Sequence, residues 1–286
     1  MKKYLKLMRV HHYIKNGLIF AALACSGQLF NPQKLLACMA AFVAFCMVSS
    51  VVYIINDLRD AEKDRNHPTK CKRPIAEGSI TPKEAGFVIL LLTVIASICN
   101  YFVFDLIATS LLILYFAMNL LYSLGLKNIP ILDITILVSG FFIRVLYGAL
   151  ITGIAISNWL YLTVFAVSFY FALGNRRNEL KQHRENDTRI VLKYYPLPFL
   201  DKSMGMCLSL ANVFYALWTM DEKTVSLYDN KYLIFSVPIV LLITLKYSLD
   251  IEGELDGDPV EVLLHDKILL LLCALYLFFM FVVLYL

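Results

Sequence analysis

Charged residues are scarce in this 286-residue chain: only 17% are Asp, Glu, Lys or Arg, while 59% are drawn from AVILMFWYC. A soluble domain averages about 25% charged and about 45–50% apolar, so an ordinary soluble enzyme is excluded, as are disordered and collagen-like chains. Paired cysteines are missing as well. Of the seven, Cys25, Cys38, Cys46, Cys99, Cys207 and Cys273 sit singly in apolar stretches, and only Cys71 lies in a polar segment. None falls into a CxxC or Cys/His spacing, which leaves them as small core residues rather than disulfide partners or zinc ligands. The five histidines include none in a triad-like setting with Ser or Cys. The basic N-terminus leads into one apolar run and then another, without a small-residue cleavage pattern, so no cleavable leader is expected.

Long apolar runs are abundant. Mean hydropathy is +0.68, and polar breaks divide the runs into nine segments near the length of about 20 residues that spans a bilayer. They lie at residues 14–30, 34–55, 84–104, 106–124, 131–151, 157–174, 200–219, 232–249 and 263–286. Backbone polar groups left unpaired in lipid are too costly for an open strand, so each segment is predicted to be a helix. The expected fold is an all-α integral membrane protein, a bundle of about nine transmembrane helices in a single polytopic domain. Threading the segments puts 22 of the 26 Lys and Arg residues on one side; Lys34, Lys223 and Lys231 fall on the other, and Arg144 lies inside a helix. The positive-inside rule then places the N-terminus and the heavy loops in the cytoplasm and the C-terminus outside, in a plasma membrane. Lys2, Lys3, Lys6 and Arg9 are expected to lie on anionic lipid. No nucleic-acid partner is expected, and homo-oligomerisation is left open.

The charge that remains is clustered at helix ends. Asn56, Asp60 and Asp64 are spaced i, i+4, i+8, with Asp57 three before Asp60, so four oxygen-bearing side chains share one face of a continued helix. Like charges at that spacing destabilise a helix unless something offsets them. Mg²⁺ takes one or two carboxylates together with substrate phosphates, so the comb Asn56, Asp57, Asp60 and Asp64 reads as a Mg²⁺–diphosphate site. Salt-bridging by Arg59 and Lys63 is the plainer alternative. Downstream, Lys70, Lys72 and Arg73 supply cations suited to phosphate oxygens in a Pro/Gly-punctuated loop.

The pattern Asn56-Asp57-x-x-Asp60-x-x-x-Asp64, followed by Arg73-Pro74 and Gly78, resembles the first aspartate-rich motif of the UbiA-type intramembrane prenyltransferase superfamily. Further blocks are similar to its decaprenyl-phosphate phosphoribosyltransferase branch. These are Tyr13-Ile14-Lys15-Asn16, the run from His67 to Gly78, Asp133 with Ser139-Gly140-Phe141-x-x-Arg144-x-x-x-Gly148, and Gly257-Asp258-Pro259-x-Glu261 through Asp266. The resemblance spans the chain. Prenyl-diphosphate-using members carry a second pair of aspartates at i, i+4; here Asn175 and Glu179 hold that spacing around Arg176 and Arg177, which favours direct binding of phosphate by arginine. Asn175 stands where the resemblance would place a lysine.

The resemblance implies transfer of 5-phosphoribose from 5-phosphoribosyl diphosphate to a membrane polyprenyl phosphate, with Mg²⁺ as cofactor. On that reading Asp57, Asp60 and Asp64 are the catalytic carboxylates and, with Asn56, the metal ligands. Lys70 and Arg73 bind donor phosphates, Arg176 and Glu179 complete the opposite wall, and Lys15, Asn16 and Arg144 serve the acceptor. An arginine buried in a span costs about 2.5–3.5 kcal/mol on insertion scales, so Arg144 needs a partner, either anionic substrate or Asp133. The acidic segment from Asp250 to Asp258 lacks the ligand order of an EF-hand and reads as a solvated loop or a cytoplasmic cap. Two alternatives stand beside this one: prenyl transfer from a polyprenyl diphosphate to an aromatic or glycerol-phosphate acceptor, and transport of a phosphorylated metabolite. No inverted repeat is visible to favour the latter.

Overall fold

The computed structural model describes residues 2–66, 70–181, 190–228, 231–252, 262 and 266–285, and every regular element among them is helical. Eight long helices carry the architecture: α1 (Pro32–Arg59), α2 (Pro82–Phe102), α3 (Leu106–Leu124), α4 (Leu132–Thr152), α5 (Asn158–Lys181), α6 (Leu197–Met220), α7 (Ser236–Glu252) and α8 (Lys267–Tyr285). Among the described residues, seven spans are long and apolar enough to cross a membrane. These are α1–α4, α6, α8 and the segment Tyr232–Ile251 that contains α7. The protein is therefore a multi-pass membrane protein. Two expected spans do not meet that standard. Helix α5 is long, but its last turns carry Arg176, Arg177 and Glu179. Residues 14–30 form three short pieces, Tyr13–Asn16, Gly17–Phe20 and Ala21–Ala24, instead of one helix.

Helix starts follow local chemistry. Asn31 Oδ1 accepts from the backbone N–H of Gln33 and Lys34 at 3.1 and 3.2 Å, with Pro32 at the first helical position of α1. Thr81 and Glu84 form a reciprocal capping box ahead of α2. Asp105 caps α3 through the N–H of Ala108 at 2.7 Å. Each cap satisfies backbone donors that lipid could not.

The described residues group into two compact units, Met1–Lys127 with Ile143–Ala155, and Asn128–Phe142 with Ile156–Leu286, so α4 is divided between them. In the first unit one core joins Ile19, Leu23, Phe45, Leu112, Tyr115 and Tyr147, and a second gathers Leu7, Ile54, Ile75, Ile80 and Leu92. In the second unit a core runs through Ile134, Tyr170, Leu200, Ile251 and Leu269, with a satellite around Tyr215, Trp218 and Leu233. Outer faces are apolar too: Leu271, Leu277 and Phe278 of α8 are each more than 60% exposed, as lipid-facing side chains are.

Gly148 packs tightly against the chain at Ile19. A Cβ there would lie 1.9 Å from the Ile19 carbonyl oxygen and 2.7 Å from its carbon, so only glycine lets α4 meet the chain at Ile19. Gly148→Ala is expected to lower stability by about 1–3 kcal/mol or more through overpacking. Gly86→Ala, with open space around it, leaves the thermal melt in detergent unchanged or slightly raised; equal melts for the two variants would contradict this packing.

Candidate active site

In the first unit the carboxylates at the end of α1 do not stay on one continuous helix. The helix stops at Arg59, Asp60 adopts φ −89° and ψ 6°, and a short helix Ala61–Arg65 follows. The bend leaves Asp57 and Asp64 close enough for one arginine nitrogen to bond to both. Among the described residues no group of three acids is arranged to hold a metal by itself. Cations meet the acids instead. Arg73 Nη1 donates to Asp57 Oδ1 at 3.1 Å and to Asp64 Oδ2 at 2.7 Å, while Arg9 Nη2 donates to Asp57 Oδ1 at 2.6 Å. Asp57 and Asp64 are 2% and 4% exposed. Buried charges of this kind persist only when matched and hydrogen-bonded. Asp60 is more open, and its nearest cation is Lys127 at 3.8 Å.

Arg9 is the residue that sequence reasoning missed. Expected on the lipid surface, it turns inward through a left-handed backbone, φ 51° and ψ 49°, and lies over the Tyr53 ring at 4.8 Å. That backbone costs a non-glycine residue of order 1 kcal/mol. Lys3 and Lys6 are also used internally, donating to the carbonyls of Ser79 at 3.0 Å and Lys72 at 2.7 Å. The N-terminal segment thus straps the loop that carries Arg73. Lys70 opens a 3₁₀ turn, Lys70–Lys72, in the same loop. His67, Pro68 and Thr69 lie outside the described residues.

The donor set suits a hard cation. Asn56 Oδ1 is buried without a hydrogen-bond partner, beside Asp57. Mg²⁺ needs only one or two carboxylates when phosphates supply the rest, so the oxygens of Asn56, Asp57, Asp60 and Asp64 suit such an ion, although no three acids form a cage among the described residues.

Deeper in the first unit, Arg144 is held by neutral side chains. Its Nε donates to Asn16 Oδ1 at 2.7 Å and its Nη2 to Tyr115 Oη at 3.1 Å, and the guanidinium lies 4.9 Å from the Phe45 ring and 5.0 Å from the Tyr115 ring, which pack against each other. Asp133 sits eleven residues earlier on the same helix, about 16 Å away by helical rise. Asn16, 1% exposed, donates onward to Cys46 Sγ at 3.2 Å and Ser49 Oγ at 3.1 Å. Lys15, its neighbour, is half-buried.

In the second unit Asp133 is fully buried and engaged by Arg176 Nε at 2.7 Å and Tyr195 Oη at 2.6 Å. Arg176, itself 1% exposed, also reaches Glu179 at 3.1 and 3.2 Å. Burial first, then the bond to Asp133, pushes the Tyr195 phenol up to about 12, so it remains a donor through neutral pH. The same oxygen accepts the N–H of Ile131, whose φ of 68° is the second positive value outside glycine among the described residues. Arg177 pairs with Asp201. Lys246 joins Asp250 to Asp266, and its hydrogen bond holds the Asp266 carboxyl below the usual range. Glu254, Asp256, Asp258 and Glu261 lie outside the described residues. Tyr195→Phe is expected to cost about 1–3 kcal/mol by leaving the Ile131 N–H and one Asp133 oxygen short of a partner. A melt of the second unit's variant equal to wild type would contradict this network.

Residues 17–251 match the model of the UbiA prenyltransferase family. A decaprenyl-phosphate phosphoribosyltransferase of Corynebacterium glutamicum is 32% identical over 280 residues, covering 96% of this chain and 84% of that protein. The protein of the same name from Mycolicibacterium smegmatis is 34% identical, with 94% and 88% covered. Among solved structures, a UbiA homolog from Archaeoglobus fulgidus bound to GPP and Mg²⁺ superposes with a TM-score of 0.72 over 99% of each chain at 17% identity, a likeness of fold. The chain belongs to the UbiA prenyltransferase family and is a membrane-embedded transferase.

Proposed function

We propose that this transferase moves 5-phosphoribose from 5-phosphoribosyl diphosphate to a membrane polyprenyl phosphate and releases diphosphate. One observation carries the reading: relatives bearing that activity in their name are 32–34% identical over nearly the whole chain. The site chemistry supports it. A diphosphate leaving group calls for positive charge and hard-metal oxygens together, and Arg9, Arg73, Asn56, Asp57, Asp60 and Asp64 supply both.

Asn56, Asp57, Asp60 and Asp64 would hold Mg²⁺, which when bound neutralises charge on the departing diphosphate. Lys70 and Arg73 bind donor phosphates, and Arg9 orients Asp57 through its hydrogen bond to Oδ1. A phosphate oxygen of the acceptor attacks C1 of the ribose, the bond from C1 to the diphosphate oxygen breaks, and the electron pair leaves with diphosphate. The acceptor phosphate is already anionic, so no side chain need remove a proton. Lys15 contacts that phosphate. Asn16 and Arg144, spent on one another inside the protein, hold the segment that carries Lys15. In the second unit Arg176, oriented by Asp133 and Glu179, is the candidate for a substrate phosphate. Against prenyl transfer stands the second motif, where a single carboxylate, Glu179, is already matched to an arginine. On the positive-inside rule the N-terminus and these loops face the cytoplasm and the C-terminus lies outside.

The test is protein in detergent with Mg²⁺, radiolabelled 5-phosphoribosyl diphosphate and decaprenyl phosphate, counting label in the organic phase. Label that EDTA abolishes is expected. No label, with a polyprenyl diphosphate consumed instead, would move the assignment to prenyl transfer; if neither is consumed, transport takes its place. Asp60→Asn is the informative variant. Its carboxylate is weakly engaged, so stability should change by less than about 1 kcal/mol while turnover falls at least about 100-fold. Near-normal turnover would remove Asp60 from the metal site.

A further inference from the structure

The acids at the end of α1 are charge-balanced by the protein itself. Arg9 and Arg73 stand against Asp57 and Asp64, and Lys127 lies 3.8 Å from Asp60. A divalent cation added to that set would leave positive charge in excess beside buried groups, which is costly unless a cation moves or anions arrive with it. Access imposes the same condition. The side chains of Asp57 and Asp64 are 3% and 6% exposed, while those of Arg9 and Arg73 are 18% and 26% exposed. The arginines are thus more open to water than the acids they hold. An ion arriving from water can reach Asp60 directly, but it meets Asp57 Oδ1 already bonded by two guanidiniums.

Of the two, Arg9 is the easier to release. Arg73 bridges two acids through Nη1, whereas Arg9 reaches Asp57 alone among the described acids, through Nη2 at 2.6 Å. Its backbone holds φ 51° and ψ 49°, a left-handed conformation that a non-glycine residue keeps only while a contact rewards it. The Tyr53 ring, 4.8 Å away, supports the guanidinium independently of Asp57. A guanidinium fork also matches the oxygens of a diphosphate, which accept paired N–H bonds as a carboxylate does.

We propose that Arg9 stands in for the divalent cation: it holds Asp57 Oδ1 while the site is empty, yields that oxygen to Mg²⁺, and passes its own bond to the diphosphate of the donor. This exchange rests on the Mg²⁺–diphosphate site proposed above, and it is the same whether phosphoribose or a prenyl group is then moved. One guanidinium neutralises the carboxylate first and the leaving group afterwards, so the buried cluster stays matched throughout. Lys3 and Lys6, bonded to the carbonyls of Ser79 and Lys72, keep the N-terminal segment against the Arg73 loop meanwhile. The side chain swings; the strap stays.

The experiment treats the full chain in detergent with phenylglyoxal, which modifies accessible guanidiniums, and reads Arg9 by peptide mass spectrometry. Three conditions are compared: EDTA, saturating Mg²⁺, and Mg²⁺ with inorganic diphosphate. Modification of Arg9 at least threefold faster in Mg²⁺ than in EDTA, and slowed again by diphosphate, is expected. In parallel, calorimetric titration of Arg9→Gln should show Mg²⁺ alone binding at least threefold more tightly than to wild type. Diphosphate in saturating Mg²⁺ should bind that variant at least tenfold more weakly. Arg9 reactivity that does not rise in Mg²⁺ would overturn the exchange. So would an Arg9→Gln protein that weakens both ligands, the mark of an arginine that only props the site. The footprint on wild-type protein decides the matter if Arg9→Gln does not fold. Neither ligand binding to wild type would overturn the exchange together with the Mg²⁺–diphosphate reading, whereas both binding with Arg9 reactivity unchanged would overturn the exchange alone.

Discussion

A carboxylate buried at the edge of a membrane is stable only if cations are brought to it, and this requirement organises the first unit. Asp57 is held by arginines from both sides of the sequence, Arg9 from before α1 and Arg73 from the loop after it. Removing one partner of such a buried pair typically costs about 3–5 kcal/mol, because the remaining charge is left uncompensated. The strapping of the 70–80 loop by Lys3 and Lys6 follows from the same need, since it fixes where Arg73 sits. On the function proposed above, that charge is kept ready for an anionic substrate and its metal.

The second unit solves a like problem with different residues. Asp133 is matched to Arg176 and tied by a tyrosine hydroxyl. Each network is accompanied by one strained backbone: Arg9 beside Asp57, and Ile131, whose N–H is bound by the tyrosine that holds Asp133. Strain of this sort persists only where surrounding contacts over-determine it, and it gathers at sites that must hold groups in unusual positions.

Much of the frame was legible from residue patterns. The apolar runs located the long helices to within a few residues, and Asn31-Pro32 marked the start of α1 because capping chemistry is local. The aspartate-rich stretch pointed to Asp57 and Asp64, the acids that the structure pairs with arginine. What escaped were properties set by tertiary pairing. Arg9 reads as one more surface cation, since nothing local announces a left-handed turn at a non-glycine residue. Tyr195 reads as one aromatic among many, its role depending on an acid 62 positions away. The comb was drawn as one face of a helix, but mutual repulsion and the offered arginines favour a bend at Asp60. Residues 14–30 were apolar enough for a span, yet they break into short turns.

The pairing of Asp57 with Arg9 is the point on which the account stands, and a double-mutant cycle measures it most directly. Arg9→Gln, Asp57→Asn and the double variant would be compared by unfolding free energy in mixed micelles. A coupling of about 1.5–3 kcal/mol is expected for a charge-assisted bond of this burial. Additivity within about 0.5 kcal/mol would show that the N-terminal arginine does not hold the carboxylate, and would contradict the account.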